Sequence, residues 1–141
     1  MSVYELVRET YVLLQMAVVR AFEPLGLRVE EYNVLRLLAD AGELRMSLLA
    51  RRTLSDDSTT TRVVNSLVER DLARRRRADD DRRVRLVEIT ASGRRVLAQA
   101  ELAHERAVTE ALAPLDERTI ERMTSSLEAA REALRRGGRD G

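Results

Sequence analysis

The chain contains no cysteine, which excludes disulfides, thiol redox sensing and cysteine-based zinc sites. It has no tryptophan, one phenylalanine and three tyrosines, so any core must be built from aliphatic side chains. A single histidine, with no Gly-rich phosphate loop and no HExxH pattern, leaves neither a nitrogen–sulfur metal set nor a nucleophile–base pair; no enzyme activity and no cofactor are expected. No run of about 18 apolar residues occurs, so no transmembrane helix is indicated. The opening MSVYELVRET carries an acid early and lacks a signal-peptide pattern, which predicts a cytoplasmic location without a membrane partner. Lysine is missing too: every basic residue is arginine.

What is present is 44% apolar and 35% charged residues in a chain of 141. That suffices for one domain, or for one binding unit with additional helices for self-association. The net charge of +1 conceals a division along the chain. Residues 45–95 hold 14 arginines against 8 acids, whereas the remainder holds 11 against 16. A cationic face on an otherwise acidic body follows.

The cationic part centres on residues 54–90. Ser55 or Asp56 caps a helix over Asp57–Arg70. Its apolar side is Val63, Val64 and Leu67, flanked by Thr60 and Val68. The opposite side presents Ser58, Arg62 and Asn65, with Thr59 and Ser66 at the margins and Thr61 nearer the flank. Arginine and asparagine are the residue types that match purine edges bidentately in a major groove. A strand with Arg74–Arg77 follows, then a polar tip over 78–83 and a second strand, Val84–Ile89. Alternation lets only some of the four arginines face phosphate, and Arg75 and Arg77 are assigned that role. The arrangement is a winged helix-turn-helix, and the expected partner is double-stranded DNA.

The flanks are helical. Apolar residues recur at three- and four-residue steps from Val3 to Leu25, ended by Pro24 and Gly26. This stripe is longer than one small domain needs, which predicts a second chain covering part of it. Glu30–Ala39 forms the next helix. Leu44–Met46 reads as a short strand or a connector, and Ser47 as the cap of the helix after it. Thr90 caps a helix running to about Ala113 and stopped by Pro114. His104, on the apolar side of that helix, is read as a packed, hydrogen-bonded residue. Asp116 caps a last helix with the seam Ile120, Met123, Leu127, Ala130 and Leu134. The tail Arg135–Gly141 is expected to be disordered.

Four segments in fixed order carry a resemblance: GLRVEEYNVLRLL (Gly26–Leu38), ELRMSLLARR (Glu43–Arg52), LVERDLARRRRADDDRRVRLVEITASGRR (Leu67–Arg95) and LAPLDERTIERM (Leu112–Met123). Together they resemble the MarR family of transcription regulators over nearly the whole chain. The resemblance implies a mainly α fold with a small β wing (α+β). The DNA-binding lobe would span 29–91, dimerisation helices 1–28 and 92–136, and a disordered tail 137–141. It further implies a homodimer on a pseudo-palindromic operator, acting as a repressor released by a small, often aromatic, anion. Tyr11 and Tyr32 would then line an effector crevice. Asp81 and Arg83 match the family's wing pair, and Arg82 would be a phosphate contact. The pair makes physical sense, because the carboxylate can aim the guanidinium before it enters a narrow minor groove. Two positions depart from the family pattern: Asp71 stands where glycine is usual, and Thr60 where an apolar residue is usual. The competing reading is a winged helix that contacts protein only, without sequence-specific DNA binding.

Overall fold

The computed structural model describes residues 1–138. Helix α1 (Val3–Phe22) begins with a reciprocal cap: Ser2 Oγ accepts from the Glu5 amide at 3.2 Å, and the Glu5 carboxylate accepts from the Ser2 amide at 2.7 Å. It buries only Val18 and Phe22. A 3-10 turn over Glu23–Leu25, with Pro24 in its first turn, ends it, and Gly26 at φ +60° reverses the chain. Helix α2 (Val29–Ala41) then buries Glu31, Tyr32, Val34, Leu35 and Leu38.

Strand β1 (Glu43–Arg45) resolves the choice at Leu44–Met46 in favour of a strand, though it stops one residue earlier. Helix α3 (Met46–Thr53) follows without a connector, so Arg45 stands at the cap position and Ser47 lies inside the helix. The expected cap at Ser47 is therefore wrong. Pairing of Arg45 with Leu86 carries extended backbone up to the first helical residue. Leu54 turns the chain at φ +55°, and Asp56 Oδ1 accepts from the Thr59 amide at 2.6 Å to start α4 (Asp57–Glu69). Thr60 is buried, and its hydroxyl donates to the Asp56 carbonyl at 3.0 Å. That contact keeps the polar atom satisfied inside an apolar side.

Asp71 adopts φ +58°, the left-handed conformation that glycine would supply. It leads into β2 (Ala73–Arg77), which pairs with β3 (Arg85–Ile89) in a three-stranded antiparallel sheet of order β1-β3-β2. Thr90 joins this hairpin to α5 (Ala91–Leu112). Its Oγ1 accepts from the Gly93 amide at 3.0 Å and donates to the Asp71 carbonyl at 2.6 Å. Gly93 is required here: a Cβ would lie 2.0 Å from the Leu72 carbonyl oxygen.

The core gathers Leu35, Leu38, Leu49, Val64, Leu67 and Val87 with Val18 and Phe22 of α1 and Leu97 and Ala100 of α5. The second half of α1 and the start of α5 are thus part of the winged lobe's own core.

Compactness divides the chain into Met1–Val108 and a second unit from Thr109 onward. The second unit is dominated by α6 (Glu117–Gly137), capped by Asp116 Oδ1 on the Thr119 amide at 2.7 Å. None of its residues is buried. The helix continues through Arg135, Arg136 and Gly137, where a disordered tail was expected. An Arg136–Glu132 pair at 3.1 Å, with two arginines at the negative end of the helix dipole, supports that last turn. Residues 139–141 of the expected tail lie outside the described residues. No helix among the described residues is long and apolar enough to cross a membrane.

Candidate nucleic-acid interface

The face of α4 opposite its buried side presents Ser58, Thr61, Arg62 and Asn65, all exposed, with Thr59 half-buried. Thr59's amide serves the cap, and that hydrogen bond is the main cause holding the Asp56 carboxyl below its ordinary range. The cap is thus anionic and satisfies an amide at the positive end of the helix dipole.

Ser66 is turned the other way and does not belong with the groove-facing set. Its hydroxyl donates to Glu31 Oε2 at 3.0 Å, and Glu31 is 2% exposed. A buried carboxylate must find donors. Glu31 takes one from Ser66, others from the Arg28 amide at 3.0 Å and Arg28 Nε at 3.4 Å, and lies 3.6 Å from Arg70 Nη1. Arg70 also donates to the Gly26 carbonyl at 2.7 Å and the Leu25 carbonyl at 3.2 Å. The end of α4 is tied in this way to the turn after α1. Nothing in EEYNVL distinguishes Glu31 from Glu30, since both read as first-turn acids.

In the wing, strand alternation sorts the four arginines. Arg74 pairs with Glu88, directly opposite it on β3, at 3.2 Å. Arg76 forks onto Glu43 at 3.0 and 2.7 Å, which pushes its guanidinium pKa further up. These two side chains are bound to the sheet itself. Arg75 and Arg77 occupy the alternate positions. Arg77 is exposed, and Arg75 donates from Nη2 to Asn65 Oδ1. At the tip, Asp81 Oδ1 accepts from the Arg83 amide at 3.0 Å and Nε at 3.2 Å, and Oδ2 from Nη2 at 3.5 Å. Arg83's side chain is 92% exposed, so its guanidinium is oriented yet free to meet a partner. The same hydrogen bonds hold the Asp81 carboxyl below its usual range, with Arg45 adding a smaller attraction. Arg82 is exposed beside it.

The two tyrosines expected to line a crevice differ in their surroundings. Tyr32 is 5% exposed, packed 4.9 Å from the Phe22 ring and stacked 5.5 Å from His104. Arg36 lies 5.6 Å over its ring, and burial is the main cause pushing its hydroxyl's pKa up. His104 is half-buried, and its observed role is this aromatic stacking. Tyr11 is 59% exposed on α1. Neither tyrosine lines the shallow depressions among α2, α3 and α4, whose walls include Asn33, Thr53, Leu54 and Thr60. No group of three metal-ligating side chains occurs among the described residues.

Two helices joined by a tight turn, the second exposing Arg62 and Asn65, beside a hairpin carrying oriented arginines, define a winged helix-turn-helix protein. A sequence profile of the MarR family matches residues 25–84, from the end of the turn after α1 to the close of the wing tip. The chain is 31% identical over 88 residues to the HTH-type transcriptional regulator YdgJ of Bacillus subtilis (strain 168), covering 62% of this chain and 54% of that protein. It therefore spans about half the length of that relative. It is 29% identical over 102 residues to the HTH-type transcriptional regulator MhqR of the same organism, covering 72% of this chain and 70% of that one. Among solved structures, wild-type apo MarR from E. coli superposes with a TM-score of 0.85 at 18% identity, over 92% of this chain and 96% of that chain. A mutant of the same protein complexed with operator DNA gives 0.78 at 19% identity, over 89% and 91%. The chain is thus similar in sequence to MarR-family transcription regulators across its winged lobe, and it shares the fold of the solved MarR structures.

Proposed function

We propose that the protein binds a pseudo-palindromic operator as a homodimer and regulates transcription from it. The observation that carries this reading is the wing tip: Arg83 is held by Asp81 at two nitrogens and its own amide while remaining almost wholly exposed. An exposed guanidinium gains little from such ordering unless something else receives it. A narrow minor groove, with its concentrated negative potential, is such a receiver. The exposed side chains of α4 supply the matching major-groove surface, and Arg77 and Arg82 the phosphate contacts.

Support for two copies lies in α1. Val3, Tyr4, Leu6, Val7, Tyr11, Val12 and Leu13 are all exposed, apolar side chains of the kind that mark an interaction surface when they lie together. On α6, Leu127 and Leu134 are exposed as well. A two-fold partner burying these faces would set two α4 helices about 34 Å apart, in successive major grooves. Repression, and release by a small aromatic anion, are proposed on the likeness to the MarR family alone.

The test is fluorescence anisotropy with duplexes from the DNA upstream of the coding region, titrated at several salt concentrations. With 6–10 phosphate contacts, affinity should fall by about 10³–10⁵ between 50 and 200 mM salt. Arg83→Ala should weaken binding by about 10-fold or more, and Asp81→Ala by part of that. Binding that is absent or indifferent to salt would favour a winged helix that contacts protein instead. Wild-type affinity in both variants would remove the wing from the interface.

A further inference from the structure

An asparagine amide ends in one acceptor and one two-proton donor. It matches adenine in the major groove only when both ends are free, the oxygen taking an N6 proton and the nitrogen serving N7. Here the oxygen is already engaged, by Nη2 of Arg75 on β2. A guanidinium carries donors only, so the atom it holds is the oxygen and not the nitrogen. The bond is charge-assisted, which makes it stronger than an ordinary amide contact. Its two ends are supported independently. On the strand, Arg74 and Arg76 are paired with Glu88 and Glu43, which fixes β2 in the sheet on both sides of Arg75. On the helix, Ser66, the residue after Asn65, is bonded to buried Glu31.

We propose that Arg75 sets base specificity through Asn65, turning an adenine-reading side chain into one that offers donors only. The reading rests on the DNA-binding function above. An amide oxygen has a second lone pair, but the guanidinium already beside it would meet adenine's N6 amine as donor against donor. Guanine presents O6 and N7, both acceptors, and thymine presents O4. The amide hydrogens of Asn65 and the positive charge of Arg75 both favour such edges, guanine above all. Arg75 is then a positioning residue and not a phosphate contact, which separates it from Arg77 and Arg82.

The test uses the full chain and a randomised duplex pool. The base position read by Asn65 is the one whose preference disappears in Asn65→Ala. There the wild type should favour guanine or thymine over adenine by about 10-fold, and replacing adenine with purine, which lacks the N6 amine, should not weaken binding. Arg75→Ala should shift the preference at that position toward adenine by about 10-fold, leaving other positions and the salt slope unchanged. Arg75→Lys, which keeps a donor for the amide oxygen, should restore the wild-type preference. A uniform loss across all sequences with a salt slope smaller by about 1 would make Arg75 a phosphate contact and overturn the proposal. So would an adenine preference in the wild type, or preferences untouched by Asn65→Ala. Failure to enrich any sequence from the pool would instead sink the DNA-binding reading itself.

Discussion

At the scale of single residues, the wing tip shows how a two-residue separation becomes a charged, oriented group. Asp81 accepts from Arg83's amide and guanidinium, and those donors favour the ionised carboxylate, so its pKa lies below the ordinary 3.8. The sign follows from linkage. The ordering of Arg83 is complete above the ordinary value and is lost as pH falls through the lowered one. Both groups meet solvent, so the effect on global stability should be slight; the readout must be local. In an NMR titration, the Arg83 amide should shift with a midpoint below 3.8, and Asp81→Asn should abolish that transition. A midpoint at or above 3.8 would show that the pair does not form in solution. The family resemblance pointed to this pair, and its short separation made the contact physically plausible from the sequence. Ser66 was not legible there, because its inward direction depends on Glu31, 35 residues earlier, and amphipathic spacing alone leaves a residue at the helix margin undecided.

At the scale of elements, the joint between the wing and α5 concentrates several constraints in few atoms. Thr90 Oγ1 is both acceptor for Gly93 and donor to Asp71, its amide donates to the Leu72 carbonyl at 3.1 Å, and Gly93 permits α5 to start against that same carbonyl. Thr90→Val keeps the shape and removes both side-chain hydrogen bonds. It leaves a buried amide and a carbonyl short of partners, at a cost of about 1–3 kcal/mol. The urea midpoint should fall accordingly, with a larger loss than Thr124→Val on exposed α6, where the hydroxyl only bonds back to Ile120 at 2.8 Å. Equal effects at the two sites would mean the joint carries no special load. Caps at Asp56, Thr90 and Asp116 were readable because capping chemistry is local. Ser47 misled because a strand runs directly into α3, a consequence of sheet pairing that no local pattern reveals. The close approach at Gly93 is likewise tertiary: one glycine in ITASGRR gives no hint of the backbone it must admit.

At the scale of the whole molecule, the division of labour rests on α1. Its second half, through Val18 and Phe22, belongs to the lobe's core, while its first half is apolar and uncovered. The sequence showed the length of this stripe but not where burial begins, since the same three- and four-residue spacing serves a core and an interface alike. That arrangement permits a substitution which leaves the folded lobe intact and removes only the proposed association. Leu13 is 67% exposed and outside the core cluster, so Leu13→Glu should not lower the lobe's stability. In a two-fold interface, each new carboxylate would lose its hydration against an apolar partner surface. Light scattering coupled to gel filtration should then move from twice 16.0 kDa to 16.0 kDa. Operator affinity should fall by about 100-fold, because two linked half-site contacts become independent ones, whereas affinity for an isolated half-site should hardly change. A wild-type chain running at 16.0 kDa, or a variant that stays paired with its operator affinity intact, would show that the exposed stripe of α1 serves some surface other than a second copy of the chain.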